Sequence, residues 1–151
     1  MEFYSLQKII NTIEQYVTDH KELTHFNYGD IADIDSANYQ KNDYFLGLWL
    51  QPMSSQLVMS KNNIVIQRRF VIFVYDLVRQ DLDNQISVWN TSESVCFDIC
   101  KLMNYGSIDY RVVNQPILTP FNEKFSNDVT GYFCELVIET QDNLGLCNVP
   151  V

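Results

Sequence analysis

The sequence predicts an α+β domain: an antiparallel β-sheet with two helices packed on one face. Two observations carry this. Helical periodicity appears twice, over residues 3–18 and about 84–104, and strand-like alternation lies between and after these stretches. The resulting order is helix, several strands, helix, two strands, which suits a sheet covered on one side. At 151 residues the chain fits one domain. A chain of that size buries roughly 70% of the surface its unfolded form exposes. We assign residues 1–140 to this domain and 141–151 to an extended C-terminal tail.

In the first helix Phe3, Leu6, Ile9, Ile10, Ile13 and Val17 fall near the i, i+3, i+4, i+7 pattern, with Gln7, Lys8, Asn11, Glu14 and Gln15 on the other side. A polar connection leads to a strand at 25–30, and 30–43, rich in Asp, Asn and Ser, reads as a loop. Residues 44–50 (YFLGLWL) form an apolar strand ended by Pro52. Residues 53–60 fit either a short strand or a loop. Asn62 and Asn63 supply turn chemistry before a strand at 64–78. Its Ile64, Ile66, Phe70, Ile72 and Val74 share one parity, interrupted by Arg68, while Val65, Val71, Phe73 and Tyr75 share the other. With both faces apolar, this strand is either central and covered twice, or its second face meets a neighbouring subunit.

Residues 80–84 offer N-cap side chains for the second helix. Its stripe is Val88, Ser92, Val95, Cys96, Ile99, Leu102 and Met103, and Asn104-Tyr105-Gly106 stops it. Strands follow at 110–119 and 129–140, flanking a loop at 120–128 that carries Phe121 and Phe125. The tail holds Leu144, Leu146, Cys147, Val149 and Val151 without either period. Such a segment folds back on its own domain or docks on another chain.

The net charge of -9 disfavours a protein that grips nucleic acid. The ten basic residues are scattered, and only Arg68 and Arg69 are adjacent. The N-terminus lacks the basic and apolar regions of a signal peptide, and no apolar run nears the ~20 residues of a membrane span. Synthesis in a cytoplasm, with no membrane partner, is therefore expected. There the four cysteines Cys96, Cys100, Cys134 and Cys147 stay reduced and serve as small apolar residues.

Chemistry-bearing motifs are few. The glycines at 29, 47, 106, 131 and 145 are too far apart to cradle a phosphate. Asp33-Ile34-Asp35 opens like a calcium loop, but Ala37, Asn38 and Tyr44 stand where ligands or glycine belong. His20 and His25 accompany no G-x-S-x-G element. We expect no enzyme, no catalytic residue, no metal and no cofactor. Trp49 reads as core, whereas Trp89 sits near a helix start where core and interface roles balance.

Several short stretches, taken in order, carry a resemblance. They are Phe26-Asn27-Tyr28-Gly29-Asp30, YFLGLWLQP from Tyr44, Tyr75-Asp76-Leu77-Val78, the run from Asp81 to Asn84, and VWNTSESVCFDI from Val88. Leu118-Thr119-Pro120-Phe121, Lys124-Phe125 and the ending from Gly131 to Pro150 complete the set. The chain resembles the small neck and tail-terminator proteins (head–tail connectors) of tailed bacteriophages, as found in crAss-like and other phages of Bacteroidetes. Cys96, in place of an aliphatic, and the polar run at 38–43 depart from that pattern.

The resemblance implies a virion structural protein, made in the bacterial host cytoplasm. Copies of it would close into a six- or twelve-fold ring in the neck or tail, beside portal, connector or tail proteins, with DNA passing through without sequence-specific contact. The candidate subunit or neighbour-ring contacts are Phe73, Tyr75, Trp89, Phe121, Phe125, Leu144, Leu146, Val149 and Val151. The alternative is a small cytoplasmic α+β domain binding a small molecule or peptide.

Overall fold

A computed structural model describes residues 5–30, 46–77, 84–106, 109–124 and 128–141. The order is α1 (Leu6–Asp19), β1 (His25–Tyr28), β2 (Gly47–Ser60), β3 (Asn63–Leu77), α2 (Gln85–Tyr105), β4 (Tyr110–Val112), β5 (Thr119–Lys124) and β6 (Asp128–Gln141). The strands form one curled sheet in the order β1-β2-β3-β6-β4, with β5 also on β6. The α+β class and the helices on one face agree with the sequence reading.

One pair departs from an antiparallel sheet: β1 runs parallel to β2. A parallel pair needs a crossover of a dozen or more residues, and the stretch between Tyr28 and Gly47 is long enough to return the chain to the same end. The loop expected at 30–43 and the tail beyond Gln141 lie outside the described residues.

Both helices pack on the even-numbered side chains of the central strands. Ser5 caps α1, its hydroxyl accepting the Lys8 N–H at 3.2 Å. Ile9, Ile10, Ile13 and Val17 of α1, and Val95, Cys96, Ile99 and Met103 of α2, meet Leu48, Leu50, Phe70, Ile72, Val74, Cys134, Leu136 and Ile138. Pairing sets Leu50, Ile72 and Cys134 in one row across three strands. Two members of the expected helical stripes, Leu6 and Leu102, are exposed instead. Leu6 is the first residue of α1, and Leu102 borders the buried stripe of α2.

Three strand boundaries are corrected. Strand β2 does not end at Pro52 but continues to Ser60 through a register shift between Pro52 and Ser54. Proline lacks an N–H, and an edge strand tolerates that loss; β1 pairs with β2 only over Gly47–Leu50. The single strand expected at 110–119 is short. The Asn114 side chain accepts the Val137 N–H and donates to the Glu135 carbonyl, both at 2.8 Å, and so replaces the ladder where the chain leaves β6. The loop expected at 120–128 is largely β5, paired with β6 from Thr119 to Lys124.

Candidate assembly surfaces

On the face away from the helices a second cluster forms from Trp49, Tyr75, Phe121 and Val129, with Phe73 and Phe133 packed against it. Cross-strand register builds it. Trp49, Phe73 and Phe133 lie in one row, and Gly47, Tyr75 and Gly131 in the next. Phe73 meets the edge of Phe121 at 5.5 Å and lies 5.7 Å from Phe133, separations at which aromatic pairs attract. The Tyr75 hydroxyl is 2.6 Å from His25 Nε2. Glycine is required on both sides of Tyr75: a Cβ at 131 would overlap the Val74 carbonyl oxygen, and one at 47 the His25 ring.

Three of the candidate contact residues, Phe73, Tyr75 and Phe121, are thus brought together within the chain. Tyr75, 1% exposed, and Phe121, 8% exposed, present almost no surface to a partner, while Phe73 is half-buried. Their burial on this face favours the reading of β3 as a central strand covered on both sides. Trp89 stands apart on the helix side. Its indole N–H donates to Thr130 Oγ1 at 2.8 Å, and that hydroxyl lies 3.0 Å from the Phe121 carbonyl. Trp89 therefore ties α2 to β5 and β6. Phe125, Leu144, Leu146, Val149 and Val151 lie outside the described residues.

Sequence reasoning left 53–60 open between strand and loop and named no contact residue in the distal half of the β2–β3 hairpin. Ser60 pairs with Asn63 across a two-residue turn at Lys61 and Asn62. The last described β3–β6 pair is Val65 with Gln141, so Met59, Ser60, Asn63 and Ile64 lie beyond the described ladder. Met53, Leu57, Val58, Met59 and Ile64 are exposed here, Met59 at 71%. The available signal was the register of Leu57 and Met59 opposite Ile66 and Ile64. A second signal is charge: residues 44–75 contain no Asp or Glu but include Lys61, Arg68 and Arg69, and all 19 acidic residues lie elsewhere. Arg69 pairs with Glu135 at 2.6 Å, while Arg68 is buried beside Thr140, 3.2 Å away. Burial lowers the Arg68 pKa.

A cleft of about 560 Å³ opens between the end of α1 and the outer side of α2, with Tyr16 and Leu102 as apolar lining. Asp19, Glu22 and Asp98 line it too, against Lys21. His20 crosses it. Its Nδ1 accepts the Glu22 N–H at 3.2 Å, so the ring proton is on Nε2, 3.2 Å from the Asp98 carboxylate. Both ring nitrogens are engaged, and the pair joins α1 to α2. Beside the cleft, α2 exposes Phe97 and Tyr105, the latter at 84%.

The described cysteines are core residues. Cys96 and Cys134 are buried, and Cys100 Sγ is 3.6 Å from Cys134 Sγ. The bond to Cys134 and burial raise the Cys100 pKa. At Cys134 the bond from Cys100 pulls downward, but the Cys96 contact and burial outweigh it and the net shift is upward. Raised in this way, the Cys100 and Cys134 thiols are poor nucleophiles and poor ligands. Cys147 lies outside the described residues. Among the described residues, no three His, Cys, Asp or Glu side chains converge as a metal site would require. No helix there is long and apolar enough to cross a membrane.

No protein-family model matches the chain, and comparison with curated proteins finds no match.

Proposed function

We propose that this chain is a structural virion subunit that closes into a ring in a tailed-phage neck or tail, as head–tail connector or tail terminator. The observation that carries this reading is the exposed apolar distal half of the β2–β3 hairpin. Contiguous apolar surface on a folded domain marks a contact with another protein. The space between helices and sheet is filled by core side chains, so recognition falls to the outer surface.

A closed ring needs two different, mutually complementary surfaces on each copy. Six or twelve copies stack against portal, connector or tail proteins. The charge of -9 per chain multiplies around the ring. Carboxylates facing the channel repel the DNA backbone and keep it from adhering during transit.

Cryo-electron microscopy of virions carrying the chain, paired with mass spectrometry of their proteins, tests the reading. The expected result is a symmetric ring of this fold around the DNA channel. Absence of the chain from purified virions overturns it. A ring whose lumen is basic or neutral overturns the role given to the acidic residues.

A further inference from the structure

We infer that the distal β2–β3 hairpin of one copy docks on the α1–α2 side of a second copy, in a head-to-tail contact. This deepens the ring reading and rests on it. The two surfaces match in chemistry and differ in position. The hairpin offers Leu57, Met59 and Ile64, all exposed, with the exposed Lys61 at its turn. The opposite surface offers exposed Phe97, Leu102 and Tyr105 beside a cleft bordered by Asp19, Glu22 and Asp98.

Charge selects the second copy as occupant. The hairpin belongs to a 32-residue acid-free stretch, 44–75, on a chain that otherwise concentrates its acidic residues. Like-charged bodies at -9 each repel. Contact through a hairpin that carries no acidic residue reduces that penalty, and it brings Lys61 to carboxylates. Lys21 at the cleft, and Lys101, which lies 3.8 Å from Asp98, oppose the attraction in part. Burial of apolar side chains therefore supplies most of the affinity, with charge setting the register. Because the hairpin and the α1–α2 surface are different patches, each copy can donate one and receive on the other. That heterologous arrangement closes into a ring when the rotation permits.

The test uses two variants of the full chain, Met59→Asp on the hairpin and Tyr105→Asp on α2, both at strongly exposed positions. Circular dichroism checks that each remains folded, and sedimentation velocity and native mass spectrometry read assembly. Wild type is expected to form higher oligomers, and each variant alone to weaken self-association at least tenfold. Mixing the two variants restores one good contact, between the intact hairpin of Tyr105→Asp and the intact helix surface of Met59→Asp. The expected mixed product is a heterodimer that grows no further. Glu22→Lys should weaken assembly and Lys61→Glu should partly restore it.

Variants that assemble as wild type does, or a mixture that gives no heterodimer, overturn the contact. So does wild type that stays monomeric up to about 1 mM. The ring reading is judged separately, by the presence or absence of the chain in virions.

Discussion

The two halves of the β2–β3 hairpin share a ladder but not an environment. Along β2 the first four residues, Gly47 to Leu50, are buried, the next two are intermediate, and the rest are exposed. Hydrogen bonding is continuous through both halves apart from the shift at Pro52. The difference is cover: α1 and α2 lie over Leu48 and Leu50, and the helix-side core includes no residue of 53–60. Backbone pairing alone therefore extends a strand well past the point where burial contributes. The proximal half holds the fold together, and the distal half is available for something else.

The largest effect that would break this comparison is at Gly131. A Cβ there meets backbone of the central strand rather than a side chain that could move aside. Gly131→Ala should cost about 3 kcal/mol or more, or prevent folding, as urea denaturation would reveal. A variant as stable as wild type would mean that β3 and β6 are not held this closely.

Next come paired truncations in the two halves. Leu50→Ala, at a fully buried position, should lose about 2–5 kcal/mol by leaving a cavity. Met59→Ala should stay within about 0.5 kcal/mol in the same thermal or urea melts. Similar losses at both sites would erase the distinction. Between these extremes, Phe73→Asp places a charge in the aromatic cluster of the central strand. It should destabilise the domain itself rather than yield a folded monomer.

A smaller, pH-dependent effect belongs to Glu139, on the β6 stretch opposite the distal half of β3. Gln67 donates to it at 3.0 Å; burial acts in the opposite sense, and Arg111 at 2.8 Å again favours the carboxylate. The balance lowers its pKa. A depressed carboxylate contributes stability that is complete above its unfolded value of about 4.3 and is lost as pH falls through the lower folded value. Glu139→Gln should be less stable than wild type at pH 7, with the difference shrinking in acid melts below about pH 4.3. A difference constant with pH would count against an ionised Glu139 as the source.

The smallest expected change is a gain. Ser92 Oγ is buried without a hydrogen-bond partner. Ser92→Ala should raise stability by about 0.5–1 kcal/mol, detectable in a thermal melt.

Much of the fold was legible because it rests on local periodicity. The stripe at Ile9, Ile10, Ile13 and Val17 and the stripe at Val95, Cys96, Ile99 and Met103 fix two helices with one apolar side each. The alternation through Phe70, Ile72 and Val74 fixes a core strand. The candidate contacts were less legible. Phe73, Tyr75 and Phe121 look alike in sequence whether they face a partner or one another, since an aromatic side chain suits either setting. The polar run around Ser54 and Ser55 hid the extension of β2, because a strand outside the core needs no apolar alternation to keep its hydrogen bonds.

By itself, then, the sequence determined the class of fold and the core role of Cys96 and Cys134, because each follows from which side chains must leave water. Only the tertiary structure decided that β1 joins parallel to β2, that β4 and β5 share one edge of β6, and that Arg68 is buried beside Thr140. It also decided that Tyr75 closes against His25 over two glycines while Met59 remains in solvent. These depend on register and on which segment covers which, and residues far apart in the chain set both together.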